Sequence, residues 1–381
     1  MAICTGNYLV DNLAMHFIHI LRKARALLQA ELAHLTLVQS SDRRWHMPLA
    51  AALASGVPLL IGAWLDQLAW GLTASLGGTI FLYLPTTTMH HRMVWLMACS
   101  FGMAACYALG LAGHLYPAAT IVLLTLIASL VTMVCRLYCV GPPGSLFFIM
   151  VAAIGAYSPI PVQALPQQLG LLTLGCLLAC LIAFAYSLYS VRLQAPSPAP
   201  GLSLRGPEFV VLESLLIGAF VGLSLALAQA LNMERPYWVP VSCLAVIQGA
   251  SLRAVWVKQV HRLVGTALGL LLAWALLSLP QDKWLIAGMV MLLTVIVESL
   301  VVRHYGLAVI FITPLTLFLA ESAQPGLLVP DRLMMARFVD TLLGCLVGLA
   351  GASCLHHAGL RDALARLLRR CSLGRLVPPK P

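Results

Sequence analysis

Charge is what this sequence has least of. Only 9% of its 381 residues are charged and only 13 are acidic, against roughly 25% charged residues in an ordinary soluble domain. Apolar stretches recur from about residue 47 to about residue 355, so no large soluble domain fits between them. No stretch has the form GxxxxGK[ST], which removes the phosphate cradle of direct ATP hydrolysis. Paired carboxylates, zinc-ligand spacings and an activated nucleophile are also missing, so the chain does not read as an enzyme. The N-terminus lacks the order of basic region, apolar core and small-residue cleavage site that marks a signal peptide, and reads as retained.

What is present is greasy: 61% of residues are hydrophobic, and the mean hydropathy is +0.93. The fold class expected is an all-α polytopic membrane protein. Eleven cysteines suggest a disulfide scaffold until they are placed, because most fall inside apolar runs and act there as small packing residues. Cys135 and Cys139, like Cys176 and Cys180, are four apart and share a helix face, but no His or carboxylate joins either pair. We expect no metal and no cofactor. The formal charge of +10 is spread over short loops and tails without interleaved aromatics, which argues against nucleic acid.

Short matches recur in the same order at a period near 170 residues. "LLIGA" stands at 59–63 and 215–219, "HRMV" at 91–94 answers "HRLV" at 261–264, "LLTLIASL" at 123–130 parallels "LLTVIVESL" at 292–300, and "LGCL" occurs at 174–177 and 343–346. The shared order predicts two copies of one unit. Each copy holds about six apolar segments, giving about twelve transmembrane helices as two six-helix parallel repeats. In the first, segments are expected near 47–65, 70–84, 93–113, 117–137, 143–159 and 168–189; in the second, near 209–231, 236–250, 261–279, 284–302, 304–320 and 333–355. The domains are then a cytoplasmic amphipathic segment at 1–46, the first repeat at 47–189, a Pro- and Ser-rich linker at 190–208, the second repeat at 209–355 and a basic tail at 356–381. An even number of spans per copy relates the copies by an axis along the membrane normal.

With both termini in the cytoplasm, inner loops and tails collect 19 of the 23 basic residues, and only Arg235, Lys283, Arg332 and Arg337 fall outside. That bias orients the chain.

Ionisable groups within hydrocarbon mark an ion or substrate path by default. Glu213, Glu298, Arg337 and Asp340 fit that description. Arg337 and Asp340 are three apart, so they read as a local ion pair or as a pair placed for transport. Glu298 precedes Arg303 by about a turn and reads as its snorkelling partner or as a proton carrier.

Spans broken by Pro or Gly at matching places in two halves point to a transporter's binding site. They occur at segments two and eight, and at five and eleven. In the eleventh, Pro314 removes a backbone donor in mid-membrane, and Thr313 or Thr316 can satisfy the carbonyls it frees or a ligand. The "HR" of each repeat is expected just before a span on the cytoplasmic side. There Arg92, Arg262 and Arg303 either anchor the interface singly or form a vestibule that attracts carboxylates. Tyr237 and Trp238 read as outer belt residues or as an aromatic platform. "GTALG" at 265–269 and "GCLVG" at 344–348 are small-residue faces for helix packing.

"ERPYWVPVSCLAVIQG", "HRLVGTALG", "RHYGLAVIFITPLTLFLAES" and "RFVDTLLGCLVG" together resemble the fusaric acid resistance family, related to aromatic acid exporters, over about 230–350. The resemblance implies an inner-membrane efflux transporter of aromatic carboxylates or similar organic anions, with a layout comparable to plant anion channels. This chain departs from many family members in lacking a large soluble region, and its first half has "AWGLTAS" where the second has the Tyr-Trp-x-Pro pattern. The expected substrate path uses Arg262, Arg303, Tyr237, Trp238, Thr313 and Pro314. Proton entry at Glu298 or Asp340 drives the cycle beside Arg337, and Glu321 marks the outer mouth. The rivals are a passive anion channel with an arginine selectivity ring and a non-transporting scaffold whose basic tail docks lipid or a partner. Expected partners are membrane lipid and a small organic anion; a homo-oligomer or a periplasmic accessory protein is compatible with the sequence.

Overall fold

The computed structural model describes residues 36, 38–40, 43–158, 160–193, 195–199, 201, 206–280, 282–321, 330–357 and 359. Most of the amphipathic segment at 1–46 and nearly all of the basic tail lie outside the described residues. Among them there is no strand, and there are twelve α-helices. They are α1 (His46–Trp64), α2 (Leu68–Gly78), α3 (Met89–Ala112), α4 (Thr120–Leu137), α5 (Leu146–Tyr157), α6 (Leu165–Ser190), α7 (Pro207–Ala230), α8 (Trp238–Ile247), α9 (Leu252–Leu277), α10 (Lys283–Leu300), α11 (Tyr305–Glu321) and α12 (Pro330–His356). Each coincides with one of the twelve apolar segments to within a few residues, apart from α9.

Among the described residues, eight helices are long and apolar enough to cross a membrane. Four shorter apolar helices lie at Leu68–Tyr83, Leu146–Tyr157, Trp238–Ile247 and Tyr305–Leu319. These are the segments that Pro and Gly interrupt. Ten residues of α-helix rise only about 15 Å, half the thickness of a hydrocarbon core. The chain is an integral membrane protein, with many large apolar side chains such as Phe101, Leu181 and Leu271 on its outer surface.

The packing is organised around these short helices. α8 packs on α12 and α7, and α2 packs on α6 and α1; α5 packs on α3, and α11 on α9. Glycine makes these approaches close. A Cβ on Gly344 would meet the Val239 carbonyl and Ser242, and one on Gly348 would meet the Cys243 carbonyl. Gly265 and Gly269 lie in the same way against Gly306, Val309, Ile310 and Thr313. Both small-residue stripes are therefore helix-packing faces.

Contacts between the two halves run along two seams, α4 against α7 and α10 against α1. Each seam carries an ion pair. Arg136 meets Glu213 at 2.5 Å across the first, and Arg43, just before α1, meets Glu298 at 3.0 Å across the second. Lys283 and Asp66 add a pair at the other end of the second seam. In the middle, α5 runs beside α8 in the opposite direction: Ser145 at the start of α5 accepts from Gln248 at the end of α8 (2.7 Å), while Tyr157 and Tyr237 meet at the other end with ring centroids 6.2 Å apart. Gln229 of α7 donates to the Tyr157 hydroxyl there.

Candidate functional site

All ten residues of α8 are buried. Its sequence, WVPVSCLAVI, has no charged residue and begins two positions before Pro240, a place where a missing N–H costs nothing because the first turn of a helix has no acceptor for it. Trp238 and Ser242 are four apart, so they share one face about 6 Å apart along the axis. A guanidinium is brought to each.

Arg337, from α12, lies with its guanidinium carbon 3.4 Å from the centroid of the Trp238 ring. The ring is 1% exposed and the arginine 4%, so the cation–π contact is made out of water, where it is strongest. Arg337 also donates to Thr316 Oγ1 (3.3 Å), which in turn donates to the Thr313 carbonyl (3.0 Å) beside Pro314. The broken segment of α11 is thus tied to the arginine. Thr313 donates to the Val309 carbonyl (2.9 Å), one residue before Ile310, whose carbonyl loses its usual donor to Pro314.

Arg262, from α9, donates to Ser242 Oγ (3.2 Å) and to the Tyr305 hydroxyl (3.4 Å). It is buried, and it lies ten residues, about three turns, into its helix. The expectation that this "HR" precedes its span is corrected by the structure. Ser251 caps α9 by accepting from Ala254 N (3.2 Å), which starts the helix well before the apolar run and carries Lys258, Gln259, His261 and Arg262 inward on helical turns. Arg92 in the first half is also buried, within the first turn of α3, where it donates to the Thr87 carbonyl and Ser190 Oγ, both at 2.7 Å. Both arginines are buried against protein partners.

Trp238 Nε1, Arg262 Nε and Gln259 Oε1 are buried and make no hydrogen bond among the described residues. Unused capacity of this kind is uncommon in a native interior; His46, Ser75 and Ser187 in the first half share it.

The remaining predicted residues are placed as follows. Tyr237 is buried and packs on Trp238 with centroids 5.2 Å apart, so the pair is not an exposed aromatic belt. Asp340 is 1% exposed, one turn beyond Arg337 on α12. Arg303 is exposed in the turn between α10 and α11, and its carbonyl accepts from Gln39 N (2.8 Å). Its side chain is not Glu298's partner in the structure; that role belongs to Arg43, 255 positions away and invisible to any local pattern. Glu321 ends α11, and its side chain lies outside the described residues. Ser242 was not anticipated, and neither was the Arg136–Glu213 pairing, although the four-residue spacing from Trp238 was available as a signal for the first. Among the described residues no group of three or more His, Cys, Asp or Glu could hold a metal.

Comparison with known proteins places the second half in context. The chain is 31% identical over 160 residues to the uncharacterized membrane protein YvaC of Bacillus subtilis, covering 42% of this chain and 25% of that protein. It is 27% identical over 153 residues to the uncharacterized protein YhfK of Escherichia coli, covering 39% of this chain and 21% of that one. The chain thus spans a quarter or less of the length of these relatives. No solved structure matches. Residues 223–351, which contain α8, Arg262, Arg337 and the proline-broken α11, match the model of the fusaric acid resistance protein-like family.

Proposed function

We propose that the protein is a transporter that exports aromatic carboxylates or similar organic anions across a bacterial inner membrane, with both termini in the cytoplasm. One observation carries the reading: two buried guanidiniums, Arg262 and Arg337, reach opposite turns of one face of the short buried helix α8. Buried cations are costly within a membrane and belong by default to a substrate or ion path. An anion with a ring would find charge at both arginines and an aromatic wall at Tyr237 and Trp238. On this reading Arg303 recruits the anion, Pro314 and Thr313 open α11 beside it, and Glu298 or Asp340 takes up the proton that returns the carrier, with Arg337 tuning it and Glu321 at the outer mouth.

The packing supports twelve membrane-inserted helices in two repeats. The four most extensive neighbour relations within the first half each have a counterpart six helices later: α1–α2 with α7–α8, α2–α6 with α8–α12, α3–α5 with α9–α11 and α3–α6 with α9–α12. The seams α4–α7 and α10–α1 exchange under the same operation, as a twofold axis along the membrane normal requires.

The test is efflux of benzoate, salicylate and related aromatic acids from liposomes containing the protein, with and without an imposed pH gradient. Gradient-dependent flux that Arg337→Gln and Arg262→Gln each abolish is expected. Flux that ignores the gradient indicates a channel, and absence of flux with folded protein removes the transport reading.

A further inference from the structure

A cavity lies in the first half, outside the family-matched residues 223–351. Its volume is about 540 Å³, within the range of roughly 300–1,000 Å³ typical of small-molecule sites. Arg43, Arg44, Arg92, His46 and His91 line it, and among the described residues no Asp or Glu does. Arg92 is held by two neutral acceptors, Thr87 O and Ser190 Oγ, and Arg44 reaches only the Leu193 carbonyl at 3.5 Å. The rest of the wall includes the rings of Tyr83, Tyr186 and Trp95. His91 stacks on Trp95 with centroids 5.7 Å apart.

Two non-helical segments close it. One is the approach to α1, which brings Arg43 and Arg44. The other is the inter-repeat linker, whose Ser197 N donates to Thr86 O (2.9 Å) while the Thr86 and Ser197 hydroxyls meet at 3.3 Å. Arg43 has a second attachment: its Nη1 donates to Glu298 at 3.0 Å, and the Glu298 side chain is only 8% exposed. A cavity-lining cation therefore neutralises a buried carboxylate of the other half.

We infer that this cavity is a second anion site, taking a small organic oxyanion, carboxylate or phosphate monoester, that bears a ring, and that its occupant competes with Glu298 for Arg43. A bound oxyanion accepts from Arg44 and Arg92 in bidentate or paired fashion and draws Arg43 from the seam between α10 and α1. Occupancy in the first half thereby changes the charge balance around Glu298 in the second. By reciprocity, whatever neutralises Glu298 raises affinity in the cavity. The inference rests on the cavity and the Arg43 bridge and does not require the export reading.

The test is calorimetric titration of the full chain in phosphatidylcholine nanodiscs with phenyl phosphate and with benzoate. Saturable binding is expected. Arg44→Gln and Arg92→Lys each weaken it by about tenfold, the scale of a lost hydrogen bond to a charged group. Glu298→Gln tightens it, because Arg43 no longer has a competing anion. Arg44 is exposed, so its variant remains readable should Arg92→Lys fail to fold. No saturable binding of either probe overturns the inference, as does binding that Glu298→Gln weakens. Binding indifferent to Arg44→Gln and abolished by Arg337→Gln overturns it while leaving the export reading standing. Loss of binding when phosphatidylglycerol is added to the discs assigns the cavity to a lipid headgroup and overturns the free-ligand form. Liposome flux absent with cavity binding intact would sink the export reading alone.

Discussion

The guanidinium carbon of Arg337 lies over the Trp238 ring, 3.4 Å from its centroid, although 99 positions of sequence separate the two. The contact joins the last helix to the shortest one and fixes where a positive charge stands in the interior of the second half.

Trp238→Phe keeps a ring under the guanidinium but a weaker quadrupole. It should cost about 1 kcal/mol of stability, whereas Trp238→Ala, which also opens a cavity in a fully buried site, should cost about 3–5 kcal/mol. Thermal unfolding of the purified protein in one detergent checks the order. Equal effects would mean that the ring contributes volume alone.

The Arg43–Glu298 pair is half-exposed on one side and buried on the other. Removing Arg43 leaves a buried carboxylate with less compensation, so Arg43→Ala should destabilise by about 2 kcal/mol, below the 3–5 kcal/mol of a fully buried pair. Adding Glu298→Gln to Arg43→Ala should recover most of that loss. A double-mutant cycle with no coupling energy would show that the bridge does not hold the seam.

Gly344→Val places side-chain atoms against the Val239 carbonyl and Ser242, where backbone cannot yield. Failure to accumulate in the membrane is expected. Gly288→Ala, which meets nothing within 4 Å on α10, should be neutral or stabilising by up to about 1 kcal/mol. Comparing membrane abundance of the two variants separates packing from a general intolerance of glycine loss.

Ser251→Ala removes the cap of α9 and should cost about 1 kcal/mol. Hydrogen exchange should rise at residues 252–256 and remain unchanged near Arg262, three turns away. Exchange that spreads to Arg262 would indicate that the cap positions the arginine directly.

Most of the helix map was legible from apolar run length, and Pro and Gly singled out the segments that became α2, α5, α8 and α11. The start of α9 was missed because Arg253, Lys258, Gln259, His261 and Arg262 depress local hydropathy. Those residues are helical all the same, since a Ser cap and intrahelical bonds satisfy the backbone wherever the side chains point. The site was half legible. Tyr237, Trp238, Arg262, Arg337 and Thr313 were named from residue type and depth, but the stacking of Arg337 on Trp238 and the reach of Arg43 to Glu298 depend on tertiary distance, which has no local signature.

A ten-residue helix reaches across about half of the hydrocarbon. α8 cannot cross that layer alone, so the backbone beyond its two ends has to be covered by neighbouring helices. The two guanidiniums that meet α8 come from helices of 26 and 27 residues, α9 and α12, so long helices carry the charge inward and the short one receives it.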